Sequence, residues 1–173
     1  LCDNALLLST YSRAYRKYRS PLYRKVVENS LRWLLLEMGD PAHGFCSTLS
    51  ANYEEREGGY YLWSDEELNQ ILGSEDSEKF KSAHRLDSLP EQEDYLPRMD
   101  QDPEMTEEME RWLGKLSQAR ETRKRLPPRD GKKITAWNAL ALKALVDSSI
   151  ALQRKDCLGM AFQLADWMKS HLL

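Results

Sequence analysis

The sequence predicts an all-α protein with a small β-hairpin insertion, its helices arranged as hairpins in two concentric rings. Three observations lead there. Helical periodicity runs through five long segments. One of them, about 134–152, is apolar nearly all round, whereas the last, about 156–172, carries a single apolar stripe. Between the second and third helices lie two aromatic and β-branched runs around a polar, glycine-containing loop. An inner helix buried on most sides beside an outer helix with one wet face suits two rings of hairpins. A simple four-helix bundle would leave every helix a wet face.

The first helix is expected over about 1–18, with Leu1, Ala5, Leu8, Tyr11 or Ser12, and Tyr15 on one face, broken by Ser20-Pro21. The second starts at Pro21, a favourable first helical residue, and stops at Gly39-Asp40-Pro41. The hairpin is expected within about 44–63, from Gly44–Ala51 and Tyr60–Trp63 around the polar loop 52–59. Ser64 followed three residues later by Glu67 is a capping box, which opens a short helix ending at Gly73. From Glu91 to Glu110 nine acidic residues stand against one basic, and the stretch of about 88–105 reads as an acidic mobile loop.

The third long helix spans about 106–124, its leading glutamates matching a positive helix N-terminus. The fourth, about 134–152, is polar only at Lys143 and Asp147. The fifth turns Leu158, Ala161, Phe162, Ala165, Met168 and Leu172 to one side.

Charge is near balance, 25 Lys+Arg against 28 Asp+Glu, which gives no global case for nucleic acid or an anionic membrane. Seven cations lie within Arg120–Lys133, but without interleaved aromatics and beside the acidic stretch, so they read as a salt-bridged or solvated helix end. No apolar run approaches the ~20 residues of a membrane span. Cys2, Cys46 and Cys157 form no Cys-x-x-Cys pair and have no histidines at zinc spacing. They read as buried thiols in a reducing compartment such as the cytoplasm, and no metal or cofactor is expected. The chain opens and closes inside helical patterns, which reads as a piece of a longer parent.

The loop Arg125 to Ile134, stiffened by Pro127-Pro128, opens into the most apolar helix. It presents Asp130, Lys132, Thr135, Trp137 and Asn138 at a helix mouth, where polar groups can converge on a ligand. The structural alternative is that Thr135 is the N-cap, Trp137 a core filler, and Asn138 a partner for a neighbouring backbone.

Asp3-Asn4-Ala5-Leu6-Leu7, Gly44-Phe45-Cys46-Ser47, Gly58-Gly59-Tyr60-Tyr61-Leu62-Trp63, and Lys132 to Asn138 with its Thr-Ala-Trp-Asn core, taken in that order, resemble the YyaL-like thioredoxin-domain-containing family, related to spermatogenesis-associated protein 20. The resemblance implies that residues 1–173 are a fragment of an (α/α) toroid of the six-hairpin glycosidase type. Such a toroid is similar to N-acylglucosamine 2-epimerases and follows a thioredoxin-like domain. It implies a cavity for a small molecule such as a sugar, with Asp3 or Asp130 as acid or base. Tyr61, Trp63 and Trp137 would be stacking platforms, and Lys132, Thr135 and Asn138 would bind hydroxyls.

One departure bears on catalysis. Where the family commonly has Asp-Ala-Asp, this chain has Ser50-Ala51-Asn52, and glycoside hydrolysis ordinarily needs two carboxyl groups. Two expectations follow: a carbohydrate-active or sugar-binding toroid of unassigned reaction, or a non-catalytic scaffold presenting a partner to the attached thioredoxin-like domain. Neither includes nucleic acid or membrane, and unpaired inner-helix surface suggests self-association of the fragment.

Overall fold

The computed structural model describes residues 1–53, 56–84, 94–95, 107–123 and 127–172. It is mostly helical, with short two-stranded pairings. The chain divides into two compact units, Leu1–Ser50 with Pro128–Leu173, and Ala51–Pro127.

The first unit contains two helical hairpins. Helix α1, Cys2–Tyr18, ends where Arg19 enters the left-handed region at φ 53. Helix α2, Pro21–Trp33, starts with its proline at the N-terminus and continues as a π-helical turn, Leu34–Met38, rather than as regular α-helix. Helices α6, Thr135–Leu152, and α7, Lys155–His171, form the second hairpin, separated by a left-handed Gln153.

The hairpins meet mainly through α1 and α6. Small residues on both sides, Ala5, Ser9 and Ser12 against Ala141, Ala144 and Ser148, are buried and allow close approach of the axes. Ser12 and Ser148 share a buried hydroxyl–hydroxyl hydrogen bond of 3.0 Å. The Lys143 ammonium donates to Ser9 Oγ at 2.9 Å, and Ser9 donates in turn to the Asp147 carboxylate. Ser148 lies beyond both Lys143 and Asp147 on α6, as Ser12 lies beyond Ser9 on α1, and the Leu1 amino group donates to Ser47 O at 3.0 Å while Ser47 N–H donates to Asp130 O, just before α6, so the two helices run in the same direction. Leu8, Val27, Leu31, Leu34, Met38, Phe45, Leu145 and Leu164 complete the core of this unit.

Two apolar faces differ from those expected. On α7 the expected Ala161 and Met168 are buried, but Cys157 and Leu164 complete the stripe in place of Leu158 and Phe162, which stay exposed. Helix α6 buries only part of its circumference, and Ala136, Ala139 and Ile150 remain exposed. Hydrophobicity nearly all round gives α6 no preferred face, so its packed side is set by where α1 and α7 lie.

The expected single hairpin is replaced by separate pairings. Strand β1, Gly39–Asp40, pairs with β2, Gly44–Phe45, around a 3₁₀ turn at Pro41–His43. Strand β3, Thr48–Leu49, instead pairs antiparallel with β8, Arg129–Asp130, far along the chain. Gly44 takes φ +71, and a Cβ there would lie 2.3 Å from the Trp167 ring of α7.

The second unit begins with β4, Asn52–Tyr53, which pairs with β5, Arg56–Glu57, a tight hairpin inside the expected loop. Strand β6, Trp63–Ser64, pairs with β7, Asp94–Tyr95. Helix α3, Asp65–Leu72, carries both hydrogen bonds of the expected capping box, Glu67 N–H to Ser64 Oγ and Ser64 N–H to the Glu67 carboxylate. Helix α4, Ser74–His84, forms where the sequence shows no helical period, and α5, Glu107–Glu121, matches the third long helix. Trp63, Leu68, Leu72, Phe80, Met109, Trp112 and Leu116 form this unit's core. The acidic stretch 88–105 lies outside the described residues apart from Asp94–Tyr95.

Candidate functional site

The loop leading into α6 is fastened at several points before it reaches the helix. Ser50 N–H donates to Pro128 O at 2.8 Å, and Ser47 donates to Asp130 O through its N–H at 3.2 Å and its hydroxyl at 3.3 Å. Arg129 donates to Leu36 O at 2.9 Å, and the Lys133 ammonium to Gly44 O at 2.7 Å. Two cations of the expected basic loop are therefore bound to backbone carbonyls of the same unit.

Lys132 is paired differently. Its ammonium lies 3.0 Å from one Asp130 carboxylate oxygen, and its N–H donates to the other at 3.1 Å. The side-chain bond from Lys132, reinforced by its N–H, holds the Asp130 carboxyl below the ordinary aspartate range. Asp130 is thus an ionised, partly exposed carboxylate at the mouth of α6.

Helix α6 opens at Ile134 with no side chain capping it. Thr135 is the first residue of the helix proper rather than its N-cap, and its side chain is exposed. The first N–H groups of the helix have no intrahelical partner. Trp137 is half-buried and packs against the core of the unit.

Asn138 does not fit the expected role of hydroxyl binder. Its residue is fully buried, its Oδ1 accepts from Phe45 N–H at 2.8 Å, and its Nδ2 donates to Phe45 O and Ile134 O, each at 3.1 Å. With both amide hydrogens used and no solvent contact, Asn138 joins β2 to α6 and has no surface to offer a ligand.

Asp3 lies exposed in the first turn of α1, and because α1 and α6 run in the same direction it stands at the same end of the helix pair as the α6 mouth. Among the described residues no hydrogen bond or ion pair joins its carboxylate to Asp130.

Tyr61 and Trp63 belong to the second unit. Trp63 is 5% exposed and packs in that unit's core, with the Arg123 guanidinium 4.4 Å from its ring centroid, so it is a core aromatic rather than a platform. Tyr61 is half-buried, edge-on to Tyr60 at 5.1 Å, with Arg120 5.5 Å from its ring.

Arg123, read from the sequence as part of a salt-bridged or solvated helix end, fastens the turn before β6 to α3. Its guanidinium donates to Gly59 O at 2.6 Å, Tyr60 O at 3.0 Å and Leu62 O at 2.7 Å, and pairs with Glu67 at 2.9 Å. Its one sequence signal was the Gly58-Gly59 turn, whose carbonyls need donors.

Among the described residues no group of three His, Cys, Asp or Glu is placed to hold a metal ion, and no helix is long and apolar enough to cross a membrane. The class these features define is a mostly helical protein built on parallel-packed helical hairpins, with a polar loop fastened over the start of one central helix. No protein-family model and no curated protein matches the chain.

Proposed function

We propose that the first unit is a segment of an (α/α) toroid, and that the mouth of α6 takes a neutral polyhydroxyl ligand such as a sugar. The parallel packing of α1 on α6, each with an antiparallel partner hairpin helix, supports the toroid. Adjacent inner helices of such a ring run the same way, whereas neighbours in an up-down bundle alternate. Exposed apolar side chains on α1 (Leu6, Leu7), α6 (Ile150) and α7 (Phe162) suit flanking hairpins in the same ring.

The observation that carries the site is the uncapped start of α6 beside the Asp130–Lys132 pair and Thr135. A charged pair, a hydroxyl and N–H groups without intrahelical partners at the start of α6 supply donors and acceptors for hydroxyls, and half-buried Trp137, in the first turn of the helix, is the ring assigned to a sugar face in this reading. Asp3 and Asp130 remain the carboxylates for acid–base chemistry in this reading. An attached thioredoxin-like domain belongs to the same proposal.

The second reading, a non-catalytic scaffold, is favoured by the neutral residues Ser50 and Asn52 and by the full engagement of Asn138. One experiment separates the two. Thermal unfolding of the full-length chain is followed against a panel of mono-, amino- and disaccharides, with Trp137→Ala and the exposed Thr135→Val as variants. A sugar that raises Tm in the wild type and not in either variant supports the cavity. No shift with any sugar rejects it in favour of the scaffold.

A further inference from the structure

The corner between α1 and α2 carries a charge pattern that the near-zero net charge of the chain conceals. Residues 11–25, Tyr-Ser-Arg-Ala-Tyr-Arg-Lys-Tyr-Arg-Ser-Pro-Leu-Tyr-Arg-Lys, contain six cations and four tyrosines and not one acid. Helical cations beyond α1 include several with an acid one turn away: Arg24 on α2 with Glu28 at 2.9 Å, Lys79 with Glu75 at 2.8 Å, Lys143 with Asp147 at 2.5 Å. On α1 the neighbours at that spacing are other cations. Arg13 stands one turn from both Arg16 and Lys17, and Arg16 one turn from Arg19, arrangements that repel and disfavour the helix.

Among the described residues Arg13, Arg16, Lys17 and Arg19 form no ion pair, although Arg13 lies in the field of Asp147. One or two cations in a last turn serve the helix C-terminus, but a third and fourth go beyond what the carbonyl end requires. Arg13, Arg16 and Lys17 line an open concavity of about 290 Å³. The aromatics lie among them. Tyr18 is 63% exposed with the Lys17 ammonium 5.2 Å from its ring, Arg19 sits 5.5 Å from the Tyr15 ring, and Tyr23 meets Tyr18 edge-on at 6.3 Å.

We propose that this corner is a binding surface for single-stranded nucleic acid, with Arg13, Arg16 and Lys17 on successive phosphates and the exposed Tyr18 ring stacking on a base. A cationic track with an accessible aromatic face is the combination that holds single strands without reading sequence. An anionic bilayer is the less favoured partner. The buried face of α1, Ala5, Leu8 and Ser12, is packed against the rest of its unit, so the helix has no continuous apolar face to lay into lipid.

The test is fluorescence anisotropy of a short labelled oligouridylate with the full chain, between about 50 and 200 mM salt. Two variants are compared, Tyr18→Ala and the triple Arg13→Gln, Arg16→Gln, Lys17→Gln, glutamine being as good a helix former as the residues it replaces. The triple variant is expected to flatten the log K against log salt slope by about 2, at ~0.7 per phosphate contact. Tyr18→Ala is expected to weaken binding about tenfold at unchanged slope. Circular dichroism confirms that each variant is helical, and Tyr18→Ala keeps the test decisive if the triple variant unfolds. No binding, an unchanged slope in the triple variant, no effect of Tyr18→Ala, or equal affinity for the duplex of the same length each overturns the proposal. Tighter binding to phosphatidylserine vesicles than to the oligonucleotide overturns it in favour of a membrane surface.

Discussion

Asn138 pairs with both backbone groups of Phe45, accepting from its N–H at 2.8 Å and donating to its carbonyl at 3.1 Å, in a region with no solvent contact. The side chain acts as one further residue of a sheet ladder, supplied by a helix. Truncation would leave the Phe45 N–H and carbonyl buried without partners, at about 1–3 kcal/mol each. Asn138→Ala is therefore expected to lower stability by about 2–5 kcal/mol in urea denaturation. Asn138→Asp should be no milder, because it sets an oxygen against Phe45 O. A loss below about 0.5 kcal/mol, the usual range for a surface substitution, would show that β2 is held by other contacts.

Gly44 is required by two independent constraints. Its φ of +71 with extended ψ is a conformation that side chains rarely adopt, and its missing Cβ is where the Trp167 ring lies. Gly44→Ala should cost about 2–4 kcal/mol from backbone strain and overpacking together. Combining it with Trp167→Leu relieves the clash and leaves the strain, so the double variant should be less damaged than the sum by about 1 kcal/mol. Strict additivity in a double-mutant cycle would place the whole cost in the backbone.

Arg123 joins the turn at Gly59–Leu62 to α3 through three carbonyls and Glu67, and its side chain is only 13% exposed. A lysine ammonium cannot reproduce that planar fork. Arg123→Lys should cost about 2–4 kcal/mol, almost as much as Arg123→Ala, because carbonyls are left unsatisfied in both. Hydrogen exchange localises the effect: amides of 59–67 should lose protection while those of α6 keep theirs. Equal loss in both would mean that the two units unfold as one.

What the sequence made legible was local. The Ser64–Glu67 capping box, Pro21 at a helix start, and the extents of α1, α6 and α7 depend on residues within a turn or two of one another. Helix α4 was invisible because Phe80 is the one large apolar residue in Ser-Glu-Asp-Ser-Glu-Lys-Phe-Lys, too few to mark a 3.6 period. The pairing of Thr48–Leu49 with Arg129–Asp130 joins distant segments through backbone bonds alone, so no side-chain pattern announces it. The candidate site was half legible for the same reason. A polar cluster at the mouth of an apolar helix can be read from order, but whether Asn138 faces a ligand or Phe45 depends on a strand some ninety residues earlier.

Asp147 supplies a pH-dependent test of the α1–α6 interface. Burial alone pushes its carboxyl upward, but the bonds from Lys143 and Ser9 and the charges of Lys143 and Arg13 outweigh burial and hold it below the ordinary aspartate range. The folded carboxyl therefore binds its proton less tightly than the unfolded one, at about 3.9. Its contribution is complete above about pH 5 and is lost as pH falls through the lowered folded value. Lys143 is 57% exposed, so much of the ionic part is screened by solvent and the bond to the buried Ser9 carries more of it. Asp147→Asn is expected to cost about 1–2 kcal/mol at neutral pH, and its stability should converge with the wild type as the pH is lowered below about 3. A difference that stays constant from pH 7 to pH 3 would assign the effect to side-chain packing and leave the charge of Asp147 without a part in holding α1 to α6.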